Sequence, residues 1–88
     1  MTAAQEEVVK KISVRMPDAV ASGVYANIVQ VNASENEIVF DFVMHTPNQE
    51  HAVLSSRVIV SPATAQQLAD ILEASLRKIK DLRKDSKK

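Results

Sequence analysis

The fold is decided by SSRVIVSPATAQQLADILEASLRKIKDL, which spans residues 55–82. Its first six residues end in three consecutive β-branched side chains and predict a strand. Ser61 and Pro62 then predict an abrupt start of helix, because serine is a good N-cap and the fixed φ of proline suits the first helical position. From Ala63 to Leu82 apolar side chains recur every three or four residues, which predicts one long amphipathic helix. Its apolar stripe, which includes one serine, comprises Ala65, Leu68, Ile71, Leu72, Ser75, Leu76, Ile79 and Leu82.

Upstream of this stretch, alternating apolar and polar side chains predict strands that are separated by short turns. The strands are expected at residues 12–16, 24–32, 37–45 and 52–60. Gly23, the only glycine, precedes the second strand, where a positive φ or a tight bend is expected. Short turns between consecutive strands indicate an antiparallel meander. The expected fold is therefore α+β: an antiparallel meander of three to four strands, followed by one long C-terminal amphipathic helix that covers one face of the sheet.

The chain of 88 residues is long enough for one small domain with a modest core. We expect a flexible lead-in at residues 1–10, a single α+β domain at residues 11–82 and a basic tail at residues 83–88. A domain of this size leaves much of its surface exposed, so self-association is physically reasonable.

Composition excludes several classes of protein. The chain has no cysteine, which excludes disulfides and thiolate chemistry and favours a reducing compartment. It has no signal-peptide pattern and no apolar run of membrane-spanning length, so a cytoplasmic protein without a membrane partner is expected. It has only three aromatic residues, one Tyr and two Phe, which counts against nucleic-acid binding by base stacking.

The net charge is zero, but cations are concentrated in residues 77–88. This basic end is either a solvated helix terminus or an electrostatic contact with an acidic partner or nucleic acid. Removal of residues 83–88 would distinguish the two, since only the second predicts a loss of salt-sensitive binding.

The two faces of the predicted sheet differ in their polarity. The face assigned to the helix is strongly apolar, as a core face should be. The opposite face contains more apolar side chains than a solvated face should: Tyr25, Val29, Val31, Val39, Val43, Val53 and Ile59. Such a surface predicts a covering partner. We expect a homo-oligomer, a dimer or larger, with a foreign protein partner as the alternative.

Three polar residues, Asn27, Asp41 and Arg57, are assigned to the same valine-rich face. Simple pairing of the hairpins places Asn27 opposite Asp41, with Arg57 opposite or one diagonal step away. An arginine–carboxylate pair is well suited to charge-assisted hydrogen bonds. It either fixes the register inside an oligomer interface or forms a small anion or peptide site around Arg57.

No residues indicate catalysis, a metal or a cofactor. His45 and His51 flank a predicted turn without a third ligand, and such histidines are usually solvent-facing. Ser55 and Ser56 lack the strained turn and partner base of a serine hydrolase, and there is no glycine-rich loop for phosphates. We therefore expect a protein that is not an enzyme.

Several short motifs occur in one order along the chain. They are GVYAN at residues 23–27, SENE at residues 34–37 followed by DF at 41–42, and SRVIVSP at residues 56–62. Over residues 22–80 the set resembles a family of small prokaryotic proteins that is known only as a domain of unknown function. Ala63 and Thr64 replace an acidic–histidine pair that is usual in the family, so any ligand held by that pair is lost here. The topology is also loosely similar to that of the export chaperone SecB.

The resemblance implies no established activity. The residues themselves favour a non-catalytic interaction or assembly module that acts as a homo-oligomer. The alternatives are a chaperone-like peptide-binding module and a nucleic-acid-associated accessory protein that uses the basic tail.

Overall fold

The computed structural model describes residues 4–9 and 11–86, with side chains at residues 11–84. Their elements are β1 (Ala4–Val9), β2 (Ile12–Pro17), α1 (Asp18–Ala21), β3 (Ile28–Ala33), β4 (Ile38–Met44), β5 (Val53–Val60) and α2 (Pro62–Ser86). Strands β1 and β2 form an antiparallel hairpin, and a separate antiparallel sheet has the order β3-β4-β5. The expected α+β fold, a three-stranded meander followed by a long helix, is confirmed.

The ends of the chain contain more regular structure than the sequence predicted. Residues 4–9 of the expected lead-in form strand β1, which pairs with β2. These residues show no alternation of apolar and polar side chains, so their sequence did not predict a strand. Helix α2 continues to Ser86, four residues past its expected end, and so includes part of the expected basic tail. Residues 1–3, 10 and 87–88 lie outside the described residues.

The start of α2 agrees with the sequence prediction. The Thr64 N–H donates to Ser61 Oγ at 3.2 Å, and the Ala65 N–H donates to the Ser61 carbonyl at 2.9 Å. The Ser61 hydroxyl donates to Thr64 Oγ1 at 3.1 Å. Ser61 is therefore the N-cap and Pro62 the first helical residue.

The tight turn between β3 and β4 sets the register of this hairpin. The Ser34 N–H donates to the Glu37 carbonyl at 2.9 Å, and the Glu37 N–H donates to Ser34 Oγ at 3.3 Å. This places Ala33 directly opposite Ile38. The partner of Asp41 on β3 is then Gln30, so the predicted pairing of Asn27 with Asp41 is wrong.

A β-bulge in β5 changes the face on which Val53 and Leu54 lie. Phe42 pairs with Ser56 and Val43 with Leu54, so Ser55 is an extra residue in a β-bulge. Because side chains alternate along a strand, one extra residue moves everything before it to the other face.

The register of the β3–β4 hairpin and the bulge at Ser55 decide which side chains lie on each face of the sheet. The apolar surface, here called the Phe face, comprises Val29, Val31, Ala33, Ile38, Phe40, Phe42, Met44, Val53, Ser56, Val58 and Val60. The opposite surface, the Asp face, comprises Ile28, Gln30, Asn32, Val39, Asp41, Val43, Leu54, Arg57 and Ile59.

The single chain has no hydrophobic core over residues 11–84, since none of their hydrophobic side chains is buried. The sequence predicted that α2 would cover the Phe face, and within one chain this is wrong. Among the described elements, α2 lies close to little besides β5, the strand that it directly follows, and its large apolar side chains stay exposed. The radius of gyration is 16.6 Å, whereas a compact domain of this length has about 12 Å.

Candidate assembly surfaces and the polar row

The Phe face presents an apolar surface to solvent. Val29 and Val31 on β3 are 54 % and 53 % exposed. On the central strand the rings of Phe40 and Phe42 stack with centroids 6.3 Å apart and remain half-buried. Ser56 is the one polar residue of the face as defined above. The apolar side chains of this face are therefore in contact with water in the single chain.

The apolar stripe of α2, called the α2 stripe, is also uncovered. From Leu68 to Leu82 its large side chains are between 42 % and 61 % exposed. Ser75 lies within the stripe, but its hydroxyl donates to the Ile71 carbonyl at 2.9 Å. The only polar side chain of the stripe therefore has its hydrogen bond inside the helix, and a partner could cover it without leaving an unsatisfied donor.

Asp41 and Arg57 form a bidentate ion pair across β4 and β5. Arg57 Nε lies 2.6 Å from Asp41 Oδ1 and the Nη2 atom 3.1 Å from Oδ2. Their Cα atoms are direct cross-strand partners, as one of the sequence alternatives had it. Asp41 is only 8 % exposed because it lies on the central strand, whereas the Arg57 side chain is 56 % exposed.

The ion pair changes the titration of both groups. The hydrogen bonds from the guanidinium lower the pKa of Asp41 below its ordinary value, against a smaller opposing effect of burial. The pKa of Arg57 is raised for the same reason. Gln30 on β3 completes a polar row with Asp41 and Arg57 that crosses all three strands. Sequence reasoning missed Gln30, because it depended on the wrong β3 register.

Asn27 has a structural role outside this row. Its Nδ2 donates to the His45 carbonyl at 2.8 Å, and its Oδ1 accepts from the His45 N–H at 3.0 Å. The Asn27 N–H also donates to the Val43 carbonyl at 3.0 Å. The side-chain amide thus imitates a peptide group and extends the β3–β4 ladder by one step beyond Ile28. This explains why an asparagine ends the GVYAN motif better than an apolar residue would.

The predicted apolar interface set is divided by the observed register. Val39, Val43 and Ile59 share the Asp face with Asp41 and Arg57, as expected. The assignment to the face of Asp41 is wrong for the others: Val29, Val31 and Val53 lie on the Phe face, and Tyr25 precedes β3. That these residues lie in an interface stays a prediction. The Tyr25 carbonyl accepts a hydrogen bond from the bulged Ser55 at 3.0 Å. A shallow groove beside it is lined by Val24, Ala26, Phe42 and Ser56.

The remaining polar groups form no convergent site in the described part of the chain. His45 Nε2 lies 3.1 Å from the Gln49 carbonyl, which places this histidine within its turn. Among the described residues no group of three or more His, Cys, Asp or Glu could hold a metal ion. On α2, Arg77 Nη2 lies 3.5 Å from Glu73 Oε2, and both side chains of this ion pair are exposed. No helix in the described ranges is both long and apolar enough to cross a membrane.

Comparison with known proteins places the chain in a family. No curated protein and no solved structure matches it. The similarity to SecB therefore stays a prediction. The family model of a protein of unknown function, DUF3467, matches residues 1–82, which agrees with the family resemblance seen in the motifs. The chain belongs to the DUF3467 family.

Proposed function

We propose that this protein is a non-catalytic assembly module that acts as a homo-oligomer, with a dimer as its smallest form. The observation that carries the proposal is the lack of any buried hydrophobic side chain over residues 11–84, combined with two exposed apolar surfaces. Burial of apolar surface is the main source of folding free energy. A chain that buries so little of it by itself needs a partner surface to hold this conformation.

The exposed area has the size of an obligate interface. The accessible surface of the chain is 7919 Å². A compact monomer of its mass, 9.7 kDa, exposes about 5100 Å², so the excess is about 2800 Å². Obligate homodimers bury about 2000–5000 Å² or more in total. A dimer in which each chain buries most of its excess surface would have an interface at the upper end of this range of areas.

The hairpin of β1 and β2 supports the same proposal. It forms a two-stranded sheet of its own, and an isolated two-stranded sheet is marginally stable in water. Three separate parts, the hairpin, the sheet and α2, therefore each depend on surfaces that the single chain leaves uncovered.

The chemistry of the polar row favours a structural role over catalysis. A general acid or base at neutral pH needs a pKa near 7, whereas Arg57 moves the pKa of Asp41 in the opposite direction. The pair is suited to holding β4 and β5 in register, and its Asp face is the less apolar of the two surfaces. The absence of cysteine agrees with a reducing, cytoplasmic location, which we include in the proposal.

A second candidate function is binding of unfolded or extended peptides. It is favoured by the apolar Phe face and by β3 and β5, which both form edges of the described sheet and could add a peptide strand. This candidate requires the Phe face to stay accessible in the protein as it exists in solution.

The native mass by light scattering tests the proposal. We expect the mass of a dimer or a larger homo-oligomer at micromolar concentration, at low and at moderate salt. Fluorescence of a dye that binds exposed apolar surface should then be weak, since assembly covers the Phe face. A folded monomer that binds the dye and an apolar peptide would contradict the homo-oligomer and support the second candidate.

A further inference from the structure

We propose that two copies of the chain exchange their α2 helices, so that the α2 stripe of each copy packs on the Phe face of the other. This inference rests on the homo-oligomer proposed above and specifies how it is built. Both surfaces are apolar, both are exposed in the single chain, and a helix packed on one face of a sheet is the standard way to bury such a pair.

The connection between β5 and α2 explains why a helix does not cover its own sheet. Only Ser61 separates Val60, the last residue of β5, from Pro62, the first residue of α2. The carbonyl of Ser61 accepts from the Ala65 N–H, its Oγ accepts from the Thr64 N–H, and the ring of Pro62 fixes the φ of the next residue. Strand-to-helix loops that reverse the chain usually have about two to six residues. A single capped residue cannot make this reversal, and a short hinge of this kind favours exchange between copies.

The dimensions and breadth of the two surfaces fit each other. Fourteen residue steps separate Leu68 and Leu82, which corresponds to about 21 Å of helix. Strand β4 has seven residues, and its six steps correspond to about 20 Å. The α2 stripe is also broad, because Ile71 and Leu76 extend it on both sides. A narrow stripe suits the contact between two helices of a coiled coil, whereas a broad one suits the surface of a sheet.

The polar groups of α2 are compatible with burial of the stripe. The Ser75 hydroxyl is bonded to the Ile71 carbonyl. The cations Arg77, Lys78 and Lys80 do not belong to the stripe. Arg83, four residues after Ile79, lies on the same side of α2 but beyond Leu82, the last apolar residue of the stripe. A contact that ends at Leu82 therefore requires no buried charge.

Symmetry favours exchange over pairing of α2 with α2. One two-fold axis generates two equal helix-on-sheet contacts and covers both α2 stripes and both Phe faces. Pairing of the two helices alone would leave both Phe faces in water, where Val29 and Val31 are about half exposed.

The first test lengthens the hinge. A flexible linker of about six Gly and Ser residues, inserted between Val60 and Ser61, gives α2 enough chain to fold back on its own sheet. We expect the native mass to fall from that of a dimer to that of a monomer, while the helical circular dichroism and cooperative unfolding are retained. The same linker between Glu50 and His51, in the loop before β5, is the matched control and should leave the dimer intact.

The outcomes separate the exchange from the underlying proposal. A hinge variant that keeps the dimer mass down to nanomolar concentration would overturn the exchange and leave the homo-oligomer standing. A wild-type protein that is a folded monomer would overturn both.

A mixing experiment covers the case in which the hinge variant does not fold. V31D damages the Phe face and L72D damages the α2 stripe, so each variant alone should dissociate at concentrations where the wild type is dimeric. In an equimolar mixture, the intact α2 of the V31D chain can pack on the intact sheet of the L72D chain. Exchange therefore predicts that the mixture regains dimers, and a mixture no more dimeric than its components would contradict it.

Discussion

At the scale of single residues, Asp41 links the fold to pH. Its pKa is lowered in the folded chain by the hydrogen bonds from Arg57, so the ionised form stabilises the folded state. This stabilisation is complete above the ordinary Asp pKa of about 4 and is lost as the pH falls through the lower folded-state value. We expect chemical denaturation to show stability that declines below about pH 4.

Asp41→Asn tests this origin of the acid sensitivity, because it removes the charge and keeps the size of the side chain. The variant should be less stable at pH 7 and lose less further stability between pH 4 and pH 2 than the wild type. Asp70→Asn, on the exposed surface of α2, is the control and should keep the wild-type acid response. A wild-type response in Asp41→Asn would assign the acid sensitivity to other carboxylates.

Asp41→Ala, which also leaves Arg57 without its partner, is further expected to lower the dimer fraction in light scattering.

Asn27 supports a second prediction at this scale. Asn27→Ala removes both side-chain hydrogen bonds to the His45 backbone and should cost about 1–2 kcal/mol of unfolding free energy. Urea denaturation measures this cost. Asn32→Ala, at an exposed position of β3, should cost clearly less. Equal losses for the two variants would show that the amide–backbone pairing adds nothing.

At the scale of elements, the start of α2 depends on its N-cap. Ser61→Ala removes the hydroxyl that accepts from the Thr64 N–H, and we expect a loss of about 1 kcal/mol in thermal or urea unfolding. Ser61→Asp keeps a capping acceptor and is the matched control, with stability near that of the wild type. An equal loss in both variants would mean that this position matters for its packing and not for its cap.

At the scale of the whole molecule, assembly and stability should be inseparable. If folding is coupled to dimer formation, tenfold dilution removes about 1.4 kcal/mol and should lower the Tm by roughly 3–5 °C. Calorimetry or circular dichroism over a hundredfold range of concentration measures this. A folded monomeric protein of similar size is a suitable control for effects of dilution alone. A Tm that does not depend on concentration would argue against obligate assembly.

Local chemistry made several features predictable. The Ser61 cap, the α2 stripe and the positive φ of Gly23, which is 76°, all follow from interactions within a few residues of the chain. The pairing of Asp41 with Arg57 was also within reach, because β4 and β5 pair regularly from Ile38–Val60 to Phe42–Ser56 and the bulge at Ser55 lies beyond this segment. The wrong face assignments concern β3, which lies beyond the Ser34–Glu37 turn, and the part of β5 that precedes the Ser55 bulge.

The sequence by itself determined that strands β2 to β5 and helix α2 form, and which side chains of α2 share one face, because propensity, capping and periodicity act locally. Strand β1 was not predicted, because it forms by pairing with β2. Only the tertiary structure decided which face each strand presents. The Ser34–Glu37 turn and the Ser55 bulge set the register, and a shift by an odd number of residues moves every following side chain to the other face. The tertiary structure also decided that α2 leaves the Phe face of its own sheet uncovered, because the direction in which a helix leaves a strand is a three-dimensional property that periodicity does not encode.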